Sequence, residues 1–74
     1  MKIGSKVRTI GFNKGLIGIV TKVREGYDPQ NHGMIEIRIT ENLKPKVFSW
    51  LNVGDLEHFS FYQWNKDLEI LEEG

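Results

Sequence analysis

An all-β domain, folded as a small closed or nearly closed barrel of five to six short antiparallel strands, is what this sequence predicts, and three observations predict it. Apolar residues alternate with polar ones over short stretches. Turn-forming residues separate those stretches, and no window sustains an apolar period of 3.6 residues between helix caps. Closure would also remove the unpaired edges that an open sheet of this size presents. A chain this short buries only about 60% of the surface its unfolded form exposes, so residues 1–74 are expected to form one domain around one core.

The clearest strand is Met34 to Thr40, where Ile35, Ile37 and Ile39 alternate with polar residues. A side-chain period of two turns the three isoleucines together into the core. Before it comes Gly26-Tyr27-Asp28-Pro29-Gln30-Asn31-His32-Gly33, a run of turn formers and hence a loop. The preceding strand, Ile17 to Arg24, is β-branched and nearly continuous in apolar residues at its start. That is the pattern of a curled strand buried at one end and half exposed at the other, with Lys22 and Arg24 on the solvent side. A shorter first strand, Ser5 to Ile10, reaches it through Gly11-Phe12-Asn13-Lys14-Gly15, whose two close glycines imply a sharp loop with positive φ angles. Lys46 to Leu51 and His58 to Tyr62, separated by the turn sequence Asn52-Val53-Gly54-Asp55, read as a second hairpin. Trp64 to Asp67 reads as one 3₁₀ turn before a last strand, Leu68 to Leu71, and the acidic ending is expected to fray beyond Leu71.

Five or six short strands with a 3₁₀ turn before the last resemble the element order of SH3-like barrels. An OB-type barrel fits less well, since it usually needs a longer chain and a helix between its third and fourth strands. Ile3-Gly4-Ser5-Lys6-Val7-Arg8-Thr9-Ile10, followed by Gly15-Leu16-Ile17-Gly18-Ile19-Val20-Thr21-Lys22-Val23, resembles the KOW motif of bacterial-type transcription elongation factors and several ribosomal proteins. In that family a Gly-x-x-Val strand leads through a loop to a glycine within an apolar strand, and Gly18 falls where that glycine belongs. The resemblance implies a structural role for Gly18, because a bare Cα lets the chain bend tightly between strands. It also implies a nucleic-acid partner, with Lys6, Arg8, Lys14, Lys22 and Arg24 on phosphates and an aromatic on a base. Ribosomal members are far more basic than this chain. The closing Asp67-Leu68-Glu69-Ile70-Leu71 is similar to that of small SH3-like proteins frequent in bacteriophage genomes, which implies a viral or bacterial source.

The formal net charge is zero, yet residues 1–38 hold seven Lys/Arg against three Asp/Glu, and residues 39–74 hold three against seven. Such asymmetry marks a basic face only if the halves stay apart, whereas in a small barrel they interleave and neutralise one another as surface pairs. Six aromatics, Phe48, Trp50, Phe59, Phe61, Tyr62 and Trp64, fall within seventeen residues. Most are expected to fill a core short of other large residues. Alternation along His58 to Tyr62 sets Phe59 and Phe61 on one face and His58, Ser60 and Tyr62 on the other. The candidate binding residues are therefore His58 and Tyr62, joined by Trp50 or Trp64, with Phe12 in the first loop. Exposed aromatics of this kind stack bases, grip a peptide or cage a methylated ammonium.

Catalysis finds little support. Without cysteine the chain has neither a disulfide framework nor a thiolate metal site, which suits a reducing compartment. His32 and His58 stand outside any local metal-ligand spacing, and Gly11 and Gly15 lack the Lys-Ser or Lys-Thr ending of a phosphate loop. Ser60 shares a strand face with His58, but such side chains point in parallel and do not converge on a substrate. The expectation is a chain that is not an enzyme and takes no cofactor and no metal. The longest apolar run, Leu16 to Val20, is too short for a signal peptide or a bilayer span, so no membrane partner is expected and the expected location is the cytoplasm, the host's if the source is viral. Near-neutral charge and the aromatic-rich second half put a protein partner first, nucleic acid second and a structural place in a larger assembly third.

Overall fold

The computed structural model describes residues 1–74 and is predominantly antiparallel sheet. Its five strands are β1 Lys6–Thr9, β2 Leu16–Arg24, β3 Met34–Asn42, β4 Leu56–Phe59 and β5 Leu68–Glu72, and their order across the sheet is β4-β3-β2-β1-β5. A 3₁₀ turn, Phe61–Gln63, and a single α-helical turn, α1 Trp64–Asp67, carry the chain from one edge strand to the other. The expected all-β class holds, but the expected closure does not. β4 pairs only with β3 and β5 only with β1, so both remain edges of an open sheet.

The second hairpin is the element that fails to form. Lys46 to Leu51 is a succession of turns in which the Val47 and Phe48 amides both donate to the Lys44 carbonyl, at 3.0 and 2.9 Å, and the Leu51 amide donates to Phe48 at 3.1 Å. Pro45 helps to set this up, because its fixed φ favours a turn over a strand. Phe48 and Leu51, three positions apart, both enter the core, which a strand alternating at period two cannot arrange. β4 therefore has β3 as its partner, with Ile35 opposite Phe59 and Ile37 opposite Glu57. It stops at Phe59, short of the expected Tyr62, because the chain turns at Ser60 and the Tyr62 amide donates to the His32 carbonyl at 2.9 Å.

Three register shifts bend the sheet. Thr21 is unpaired between Val20↔Ile37 and Lys22↔Glu36, Thr40 between Gly18↔Ile39 and Ile17↔Glu41, and Leu71 between Val7↔Ile70 and Lys6↔Glu72. An extra residue of this kind kinks its strand and sharpens the local twist. Both threonine hydroxyls turn to the partner strand at these points: Thr21 Oγ1 lies 3.2 Å from the Glu36 carbonyl oxygen, and the Thr40 hydroxyl donates to the Ile17 carbonyl at 3.3 Å.

The core gathers Val7, Leu16, Val20, Ile35, Ile37, Ile39, Phe48, Leu51 and Leu68, with Met1, Val23, Phe59, Phe61, Trp64 and Ile70 packed against it. The three alternating isoleucines are fully buried, as their period predicts. Gly18 acts differently from expectation. Its φ is not positive, so no left-handed backbone angle requires a glycine there; an added Cβ would lie 2.8 Å from the Arg38 carbonyl oxygen, and the bare Cα lets β2 and β3 approach. In the first loop Gly15 does take a positive φ of 114°, but Gly11 does not. Nor does the acidic ending fray: β5 runs to Glu72, the Gly74 amide donates to the Ser5 hydroxyl at 3.0 Å, and Glu73 lies 3.7 Å from the N-terminal amine.

Candidate interaction surface

The outer face of the sheet, away from the core, carries most of the basic residues singled out in the sequence. Register sets Lys6 opposite Glu72, Arg8 opposite Glu69 and Lys22 opposite Glu36, and the Arg8 guanidinium binds the Glu69 carboxylate directly. Residues directly opposite in an antiparallel pair share a face, so carboxylates lower the potential around these cations, although only Arg8 and Glu69 form an ion pair. Arg24 is exposed opposite Met34, and Lys14 is exposed in the first loop. The acidic half of the sequence thus interleaves with the basic half instead of leaving one basic face.

One buried carboxylate on that face, Glu36, is held in a three-residue network with the half-buried Thr21 and the exposed His58. Glu36 is only 8% exposed although it sits at a nominally outward position. One carboxylate oxygen accepts the Thr21 hydroxyl at 2.8 Å, and the other is 2.9 Å from His58 Nε2 on β4. Hydrogen bonds from His58 and then from Thr21 hold the carboxyl below its ordinary pKa of 4.5, against the opposing effect of burial. Alternation identifies the outward position of Glu36 but not its burial. The bulge that swings Thr21 toward it has no signature in the sequence.

The candidate aromatics do not assemble as alternation predicted. His58 is on the outer face of β4, Ser60 turns inward with its hydroxyl buried and unpartnered, and Tyr62 lies in the 3₁₀ turn with its ring tilted against His32 at 6.3 Å between centroids. Trp64 packs against the core. Trp50 and Phe12 remain, 71% and fully exposed respectively, on loops at the same end of the sheet. That end is where β1 and β3 finish and β2 and β4 begin, so loops 10–15 and 43–55 are neighbours. The Leu43 amide donates to the Gly15 carbonyl at 2.8 Å, and the aliphatic stem of Lys44 lies against Gly15. Leu43, Val47 and Val53, none of them singled out in the sequence, are also exposed on the longer loop.

The surface has no cavity, and no group of three or more His, Asp or Glu side chains comes together as a metal-holding cluster. No helix is long and apolar enough to cross a membrane. No protein-family model, no curated protein and no solved structure matches the chain.

Proposed function

We propose that this chain is a non-enzymatic interaction module with an SH3-like arrangement of strands, and that its partner is a protein. The strand order β4-β3-β2-β1-β5, with a 3₁₀ turn before the last strand and a bulged, kinked β2, supports the fold reading. One observation carries the choice of partner. Three of the five strand cations, Lys6, Arg8 and Lys22, stand opposite carboxylates, while large apolar side chains are presented to solvent on two adjoining loops. Phosphate binding draws its affinity from unneutralised cations, and each phosphate contact adds about 0.9 to the logarithmic salt slope on duplex DNA. Protein recognition draws instead on a few desolvated aromatic and aliphatic anchors.

Titration of labelled single-stranded and duplex oligonucleotides at two salt concentrations tests this reading. Near physiological salt the expected Kd is weaker than about 10 μM, within the range of non-specific association. Submicromolar affinity with a logarithmic slope steeper than about −3 would replace the protein-binding reading with a KOW-type one in which Lys6, Arg8, Lys14, Lys22 and Arg24 contact phosphates.

A further inference from the structure

We propose that loops 10–15 and 43–55 together form the docking surface, and that the partner is an acidic protein segment bearing apolar side chains. The proposal rests on the protein-binding reading above and names the site and the chemistry of its ligand. Its first support is charge. Lys14, Lys44 and Lys46 are exposed on these two loops and, like every Lys and Arg of the chain except Arg8, form no ion pair. Of the acids nearest this end, the Asp55 carboxylate accepts the Asn52 amide at 2.9 Å and Asp67 is half-buried beside Gly11, while Glu41, one residue before the end of β3 and opposite Ile17, is exposed. Three ammonium groups outnumber the exposed carboxylates of Glu41 and Asp55 at this end, and among exposed apolar side chains they complement carboxylates that flank apolar ones.

The second support is rigidity. The longer loop is fixed by its own turns, by the Asn42 side-chain amide donating to the Phe48 carbonyl at 3.1 Å, and by the Gly54 amide donating to Ile39 at 2.7 Å. Trp50 packs in a T-shaped arrangement with the buried Phe48 ring, with centroids 5.8 Å apart, a contact that favours one orientation of the indole before any partner arrives. A pre-oriented tryptophan loses little freedom on binding and has the character of an interface anchor. A lipid bilayer makes no use of a fixed ring orientation, and nucleobases stack on aromatics but not on Leu43, Val47 or Val53.

Panning a random-sequence peptide library on the full chain tests the proposal. The enriched peptides are expected to be rich in Asp and Glu with interspersed apolar residues. Their binding is expected to weaken at least tenfold in Trp50→Ser and in the charge-reversed Lys44→Glu/Lys46→Glu, and to weaken as salt is raised. Both changes lie on exposed side chains, and matching thermal melts establish that the variants remain folded. Enriched peptides without acidic bias, or peptides that bind both variants as well as the parent, would overturn the docking surface and leave the protein-binding reading standing. Failure to enrich any peptide, with binding instead to phosphatidylserine-containing vesicles or to oligonucleotides, would overturn both. Self-association in sedimentation experiments that is lost in Trp50→Ser would overturn the separate partner in favour of a second copy.

Discussion

His58 on the edge strand β4 and Glu36 on β3 are register partners whose side chains meet, Nε2 to Oε2, at 2.9 Å. The contact ties the sheet's four-residue edge to its most buried strand, and Thr21 at the bulge of β2 completes it at 2.8 Å. Three strands are thereby fastened through one carboxylate.

Acid should release that fastening. The folded-state pKa of Glu36 is depressed below 4.5, so the charged carboxylate contributes stability that is fully present above pH 4.5 and disappears as pH falls through the lower folded value. Glu36→Gln, which keeps the shape and removes the charge, is expected to be less stable than the parent at neutral pH. The two should converge as pH drops below 4.5. Urea unfolding of both proteins across that range measures the gap, and a gap that stays constant with pH would sink the assignment.

The Arg8–Glu69 pair offers a contrast, because both side chains are about half exposed. Exposed pairs of this kind are worth about 0.2–1 kcal/mol, since solvent screens the attraction and two long side chains must be held still. Glu69→Gln should therefore lower stability by less than about 1 kcal/mol, and the loss should shrink in high salt. A loss of several kcal/mol would mean that β5 is held by its charges more than by the β1 ladder.

Much of this fold was legible in the sequence, and the parts that were not share a physical cause. Period-two patterning placed Ile35, Ile37 and Ile39 inside and Lys22 and Arg24 outside, because alternation depends only on local backbone geometry. Lys46 to Leu51 departs from the strand its apolar content predicts because Phe48 and Leu51 are buried from a sequence of turns, where apolar content carries no strand period. His58 and Tyr62 were grouped on one face for a similar reason: the turn at Ser60 breaks the alternation that grouped them. Bulges at Thr21, Thr40 and Leu71 depend on pairing with another strand and are invisible in either strand alone. Closure was expected because it removes unpaired edges, whereas β4 and β5 each pair on one side only, a long-range relation that no single strand's sequence records.

Ile37 tests the core most directly. It is fully buried in the central stretch of β3, opposite Val20 on one side and Glu57 on the other. Truncation to Ala removes its transfer free energy and leaves a void, a loss of about 2–5 kcal/mol, comparable with the whole stability expected of a domain this small. Thermal unfolding followed by circular dichroism should show a variant that is largely unfolded or melts far lower. An unchanged, cooperative melt would place Ile37 outside the core.

Gly18 separates close approach from backbone strain. Because its φ is not positive, an L-residue suits its backbone, and the obstacle is steric: an added Cβ would sit 2.8 Å from the Arg38 carbonyl oxygen and 3.2 Å from Ile37 Cδ1. The carbonyl belongs to the neighbouring strand and cannot rotate away as a flexible side chain would. Gly18→Ala should already destabilise, and Gly18→Val should cost more, with overpacking of this kind typically costing about 1–3 kcal/mol or above. The ordering is the informative part. Were φ strain the cause, Ala and Val would suffer nearly alike, whereas strand separation grows with side-chain bulk. In a domain of this size each kcal/mol shifts Tm by about 4–8 °C, so thermal melts of the two variants resolve the difference. Equal losses, or Tm values unchanged from the parent, would rule out close packing of β2 on β3 as the reason a glycine stands at this position.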